Sequence, residues 1–205
     1  MFWQKIHKLD QLITLEINSW DSPFTDSIWQ FCSNKWVWIP MYAAIIALMI
    51  WKLGWKRGLL AVAGALLTFG FCDQFSNIVK DAVERLRPLK DEFMMSHGLH
   101  VLERGGGYGF FSAHAANTFG LAVSTYICAK RSTTSVQGRM PSWLKAYGAW
   151  MFFWAFMVAV SRIFVGKHYL GDVIVGIIVG SVAGYVFGYL ASYIAGRWQR
   201  PTASE

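Results

Sequence analysis

Five apolar stretches, separated by charged segments, set the pattern of the chain. Residues 36–51 carry no charge, 58–79 carry a single acid (Asp73), and 112–129, 146–161 and 173–196 carry none. A helix needs about 17–20 apolar residues to cross a bilayer, and lysines at the ends of such a run can snorkel to the interface. The pattern therefore predicts spans over Trp36 to Trp55, Gly58 to Val79, Ser112 to Ala129, Ala146 to Ser161 and Val173 to Gly196. The expected fold class is an all-α integral membrane bundle of about five transmembrane helices.

The first 20 residues show a different period. Charges recur every few positions, so there is no continuous apolar core of the signal-peptide kind. Ile6, Leu9, Leu12, Ile13, Leu15 and Ile17 instead predict an amphipathic helix lying at the interface, with Trp3 and Trp20 at headgroup depth. In the last stretch Gly176, Gly180, Gly184 and Gly188 fall on one helix face. A stripe of that kind lets another backbone approach closely, and packing inside the bundle is the favoured reading over dimerisation. The expected organisation is one domain over 1–197, with 1–35 as its interfacial segment, followed by a disordered tail over 198–205.

Composition agrees with a membrane chain: charged residues are 15% of 205, against roughly 25% in soluble domains. The net charge of +7 raises the question of nucleic acid, but the basic residues sit at the ends of apolar runs rather than in a stripe among aromatics. No nucleic-acid partner is expected, and the bilayer is. Cys32, Cys72 and Cys128 are too few and too scattered for a disulfide framework or a metal knuckle.

Alternation of five spans brings three charged segments, "KDAVERLRPLKDEF", "GGGYGFFSAH" and "SRIFVGKHYLGD", to one membrane face. Lysines and arginines number ten on that side and nine on the other, so the positive-inside rule alone does not orient the chain. The nine have only Glu205 as acidic company, whereas several of the ten have chemistry to perform. The three segments are therefore expected outside the cytoplasm.

Each segment offers part of a phosphate site. Lys80 and Arg87, seven apart, are expected on one face of a helix that Pro88 ends at Arg87; an ammonium and a guanidinium fork suit a phosphoryl group. Ser112 and His114 open the third span, where a helix N-terminus favours an anion. Gly105 to Gly107 and Gly109 let the preceding loop come close to a ligand. His168 and Asp172 are four apart, so a carboxylate can hold one imidazole nitrogen as N–H and leave the other as a nucleophile. Arg162 adds a further donor. The set reads as metal-free phosphoryl transfer: cationic clamps (Lys80, Arg87, Arg162), a nucleophile (His168 with Asp172) and a second histidine (His114) for the leaving oxygen. Histidines far apart in sequence among so many cations suit a metal poorly. The two histidine roles, one neutral and one protonated, predict a bell-shaped pH dependence.

These residues resemble the tripartite signature of the type 2 phosphatidic acid phosphatases, the lipid phosphate phosphatase family. K-x6-R-P matches at Lys80 to Pro88 and S-R-x5-H-x3-D at Ser161 to Asp172. The middle P-S-G-H departs, with Phe111 for proline and Ala113 for glycine. The resemblance implies that His168 becomes a phosphohistidine, partnered by Asp172, and that His114 is the acid and then the base. It also implies that Lys80, Arg87, Ser112, Ala113 (through its backbone N–H) and Arg162 hold the phosphate, and that no cofactor or metal is needed. The expectation is a lipid phosphatase of a bacterial cytoplasmic membrane, with its site facing outward and no obligate protein partner. Undecaprenyl diphosphate is the first-choice substrate; lipid A 1-phosphate, phosphatidylglycerol phosphate and phosphatidic acid are alternatives. Vanadate-dependent haloperoxidases and soluble acid phosphatases share the signature, but five apolar spans argue against them. A non-catalytic lipid-phosphate-binding protein would not require the nucleophile and its carboxylate.

Overall fold

The computed structural model describes residues 2–137 and 139–197, so the tail expected over 198–205 lies outside the described residues. Eight α-helices follow in order: α1 Phe2–Asn18, α2 Pro23–Ser33, α3 Ile39–Leu53, α4 Trp55–Val83, α5 Glu92–Ser96, α6 Ala113–Gln137, α7 Ser142–Phe164 and α8 Leu170–Arg197. Short 3-10 turns at Lys35–Trp38 and Pro88–Lys90 join them. No strand occurs among the described residues beyond one isolated bridge between Leu86 and Tyr108.

Four helical stretches are long and apolar enough to cross a bilayer: Lys35–Leu53, Trp55–Val83, Ser142–Phe164 and Leu170–Arg197. The fifth crossing, α6, is less apolar because it is the inner helix, packed against α4, α7, α8 and α3. At 25 residues it is about 37 Å long, enough for a hydrocarbon core of about 30 Å. Its buried positions are small (Ala115, Ala116, Ala122, Ala129) and its threonines return their hydroxyls to the helix's own carbonyls, Thr118 to His114 and Thr125 to Leu121. These two hydroxyls are thereby satisfied in an apolar surround. The outer helices carry the lipid-facing surface instead, with Leu66, Leu67, Phe71, Phe153, Phe156, Ile178 and Val182 exposed.

The glycine stripe of α8 lies against α6. A Cβ at Gly176, Gly184 or Gly188 would stand 2.5 Å from the backbone oxygen of Ser112, Gly120 or Ser124, and at Gly180 it would collide with that of Ala116. The two helices touch backbone to backbone for four turns, the packing expected of the motif.

At the far end from the three charged segments, cations stack on rings: Lys52 on Trp51, Arg131 on Tyr189, Arg197 on Tyr193. Such aromatic and basic pairs mark a membrane–water boundary. The N-terminal segment holds two helices where the sequence pattern predicted one. The second, α2, starts with Ser22 accepting from the Thr25 N–H and Pro23 in the first turn. That Ser-Pro start is a helix signal in its own right.

Candidate active site

The loop ends of α4, α6 and α7 and the 3-10 turn before α3 enclose a cavity of about 370 Å³. Lys80, Arg87, Ala113, His114, Arg162 and His168 all line it. Residues spread over nearly 90 positions are thus gathered at one point.

His168 follows α7 on a tight turn in which the Lys167 and His168 N–H groups both donate to the Arg162 carbonyl, each at 3.1 Å. Its Nδ1 lies 3.3 Å from Asp172 Oδ2, with both side chains buried. Asp172 sits in the first turn of α8 and also accepts from the Tyr169 N–H at 3.2 Å, reaching back as an acid does in a capping box. The carboxylate is fixed on its other oxygen by Arg85 at 2.7 Å. His168 Nε2 has no hydrogen-bond partner among the described residues. Burial pushes the His168 imidazole down to about 4, against the pull of Asp172, so it is neutral near pH 7.

The cations reach the cavity differently from the sequence expectation. Lys80 and Arg87 do not share a helix face, because α4 stops at Val83 rather than at Arg87. Glu84 adopts a left-handed conformation (φ 52°) and its N–H closes on the Lys80 carbonyl at 2.9 Å. Arg87 then arrives on extended chain, held by the Leu86–Tyr108 bridge and by the Gly109 N–H on the Arg85 carbonyl. Arg162, 2% exposed, donates to Ser33 of α2 and lies 3.7 Å from Glu103. Burial raises the Glu103 carboxyl, but hydrogen bonds from Lys167 and Ser33 and the nearby charges hold it below the usual range. The Nε atoms of Arg87 and Arg162 are buried without a partner. Two orphaned guanidinium donors on one cavity fit an anion with several acceptor oxygens.

Ser112 does not line the cavity. It is fully buried, its N–H donates to the Asp172 carbonyl at 3.0 Å and its hydroxyl faces the Ala115 N–H at 3.5 Å, capping α6. Ala113 and His114 form the wall in its place. Gly105 and Gly106 also line the cavity, as the glycine-rich loop implied. Sequence reasoning missed Lys35, Asp73 and Lys167 on the walls, and Arg85, Ser33 and Glu103 behind them. Lys35 and Lys167 were legible only as span-end charges, and no local signal marks Ser33 or Glu103.

A second, apolar cavity of about 400 Å³ runs between α3, α4 and α6, along Ile46, Met49, Val62, Leu66, Leu121 and Trp154. Lys35, Tyr42, Phe69, Asn117 and Thr118 border both cavities, so the two lie side by side.

Comparison with known proteins bears on this arrangement. The sequence pattern of the PAP2 superfamily matches residues 58–200. A lipid A 4′-phosphatase of Bacteroides thetaiotaomicron is 35% identical over 171 residues, covering 82% of this chain and 70% of that protein. One of Porphyromonas gingivalis is 28% identical over 176 residues, 84% and 68%. Among solved structures, a transmembrane PAP2-type phosphatidylglycerolphosphate phosphatase from Bacillus subtilis superposes with a TM-score of 0.65 at 19% identity, over 96% of this chain and 89% of that one. Aquifex aeolicus LpxE superposes at 0.56, again at 19% identity, over 85% and 92%.

Proposed function

This chain belongs to the PAP2 superfamily and is a multi-pass membrane lipid phosphatase, and from that premise we propose that it removes the 4′-phosphate of lipid A through a phosphohistidine on His168. The observation that carries the substrate is the 35% identity to a lipid A 4′-phosphatase over 82% of this chain. It displaces undecaprenyl diphosphate from first place, and it favours the sugar 4′-position over the 1-phosphate. Asp73 supports the same choice: a carboxylate on the cavity wall repels a second phosphate and accepts hydrogen bonds from sugar hydroxyl or amide N–H groups. The apolar groove beside the cavity suits acyl chains.

In this reading the substrate phosphate lies against Arg87, Arg162 and Lys80, whose charges balance those on the non-bridging oxygens. The Ala113 N–H at the start of α6 adds a donor. His168 Nε2 attacks phosphorus, the bond from phosphorus to the sugar oxygen breaks, and His114 gives that oxygen a proton. Asp172 holds Nδ1–H and balances the charge that develops on the ring. His114, now neutral, takes a proton from water as the water attacks phosphorus; the N–P bond breaks and inorganic phosphate leaves. The proposed setting is a bacterial cytoplasmic membrane with the site on the outer face.

The test is phosphate release by the detergent-purified protein, in EDTA, from bisphosphorylated lipid A, undecaprenyl diphosphate and phosphatidylglycerol phosphate. Mild acid strips the glycosidic 1-phosphate, so a product that then carries no phosphate has lost its 4′-group. Release from lipid A alone at the 4′-position, abolished in His168→Ala, is the expected result. Preference for either of the other lipids would overturn the substrate, and full activity in His168→Ala would overturn the mechanism.

A further inference from the structure

Helix α1 is inside out by the standard of a soluble helix. Phe2, Trp3, Ile6, Leu9, Leu12 and Ile13 are exposed, while Gln11, Thr14 and Asn18 are buried. The polar face lies on the catalytic loop. Asp10 Oδ1 accepts from the Gly171 N–H at 2.8 Å and Thr14 Oγ1 from the Leu170 N–H at 3.0 Å. Asn18 Nδ2 donates to the Ile163 carbonyl at 3.0 Å. The first N–H groups of α8, which have no partner inside their own helix, are thus capped by side chains from α1, some 160 residues away in sequence.

One of these contacts reaches the reacting residues. Arg85 Nη2 donates to Asp10 Oδ2 at 2.7 Å, while its Nη1 donates to Asp172 Oδ1, also at 2.7 Å. The guanidinium carbon sits over the Tyr169 ring, 4.0 Å from its centre, which adds a third hold on the group. Arg85 is 18% exposed, Asp10 13% and Asp172 not at all, which leaves the three charges weakly screened. A single cation is therefore shared between two carboxylates. Were Arg85 paired with Asp172 alone, it would neutralise the carboxylate that must support the charged His168 ring. By taking half of the fork, Asp10 leaves Asp172 with net negative charge and fixes which of its oxygens faces Nδ1.

We infer that Asp10 and Arg85 are positioning residues for the Asp172–His168 pair, so that the membrane-surface helix α1 completes the active site. The inference rests on His168 as nucleophile. Asp10→Ala in the full-length enzyme is expected to lower kcat about tenfold to a hundredfold, by analogy with the loss on removing the outer partner of a metal-bound histidine, with KM within threefold. Asp10→Glu should recover most of the loss. Because Arg85 transmits the effect, Asp10→Ala should add little in an Arg85→Ala background.

Thr14→Ala separates positioning from docking, since it removes the neighbouring α1–α8 bond without touching Arg85. It should leave kcat within about twofold, as an outer hydrogen bond not connected to the pair. Wild-type kcat in Asp10→Ala, or an equal fall in Thr14→Ala, would overturn the inference. His168→Ala measured alongside tells the two failures apart. If it is inactive while Asp10→Ala is normal, only the positioning role fails; if it is active, the nucleophile is misassigned.

Discussion

His168 and Asp172 owe their chemistry to where they are buried. The imidazole loses most of its hydration, which outweighs the neighbouring carboxylate and holds its pKa at about 4. The groups acting on it are Asp172, which raises the value, and Arg162 and Arg87, which lower it. The acid limb of the expected bell therefore lies well below that of an ordinary imidazole near 6.5. In the folded state the ring is neutral above about pH 4, whereas in the unfolded chain it charges below about 6.5. Its contribution to stability is thus complete above 6.5 and is lost as pH falls toward 4. That gap corresponds to about 3 kcal/mol. An NMR titration of histidine-labelled protein should show one resonance, absent in His168→Ala, still neutral at pH 5.5. A midpoint near 6.5 for that resonance would contradict the burial argument.

Helices were read more securely than their ends. The spans follow from long apolar runs, uncharged except for Asp73 in the second, and each of α4, α6, α7 and α8 extends past its apolar stretch into the flanks. The interior of a span is dictated by the bilayer, which a pattern of hydropathy records. The ends are set by tertiary contacts, which it does not. Glu84 stops α4 because the Arg85–Leu86 segment pairs with the Tyr108–Gly109 loop, a partner more than twenty residues away. In the same way Lys80, Arg87, Ala113, Arg162 and His168 were found from motif spacing, while Arg85, Ser33 and Glu103 needed the fold to bring them into place. The glycine stripe of α8 was legible because close approach leaves only glycine as an option. Gly180→Ala would push a methyl into the Ala116 carbonyl of α6, a backbone atom that cannot move aside. The expected cost is 1–3 kcal/mol or more, on the order of a typical overpacked core. Thermal unfolding in detergent should show a clear drop in Tm for Gly180→Ala and none for Gly196→Ala, whose Cβ would meet nothing. Equal behaviour of the two variants would mean that α6 and α8 are not in backbone contact.

Seen as a whole, the molecule has two unlike ends, and the difference carries its orientation. One end gathers acids as well as bases, in pairs such as Asp10 with Arg85 and Glu103 with Lys167. The other end bears lysines and arginines set on Trp and Tyr rings. A cytoplasmic face is enriched in lysines and arginines near the ends of the spans, and the flanks 52–57, 130–145 and 197–200 hold nine of these and no acid in sequence, so that end should lie inside and the cavity outside. The native cysteines leave room for a direct measurement, because Cys32, Cys72 and Cys128 are all buried and should react slowly. Ser96 on α5 is exposed at the cavity end, and Lys145 near the start of α7 is exposed at the other. In intact cells a membrane-impermeant maleimide should label Ser96→Cys, and should reach Lys145→Cys only after the membrane is opened. The reverse pattern would turn the protein over and place the phosphate cavity in the cytoplasm. A lipid phosphate would then meet the enzyme before it is exported rather than after, so the same two labels also decide which leaflet supplies the substrate.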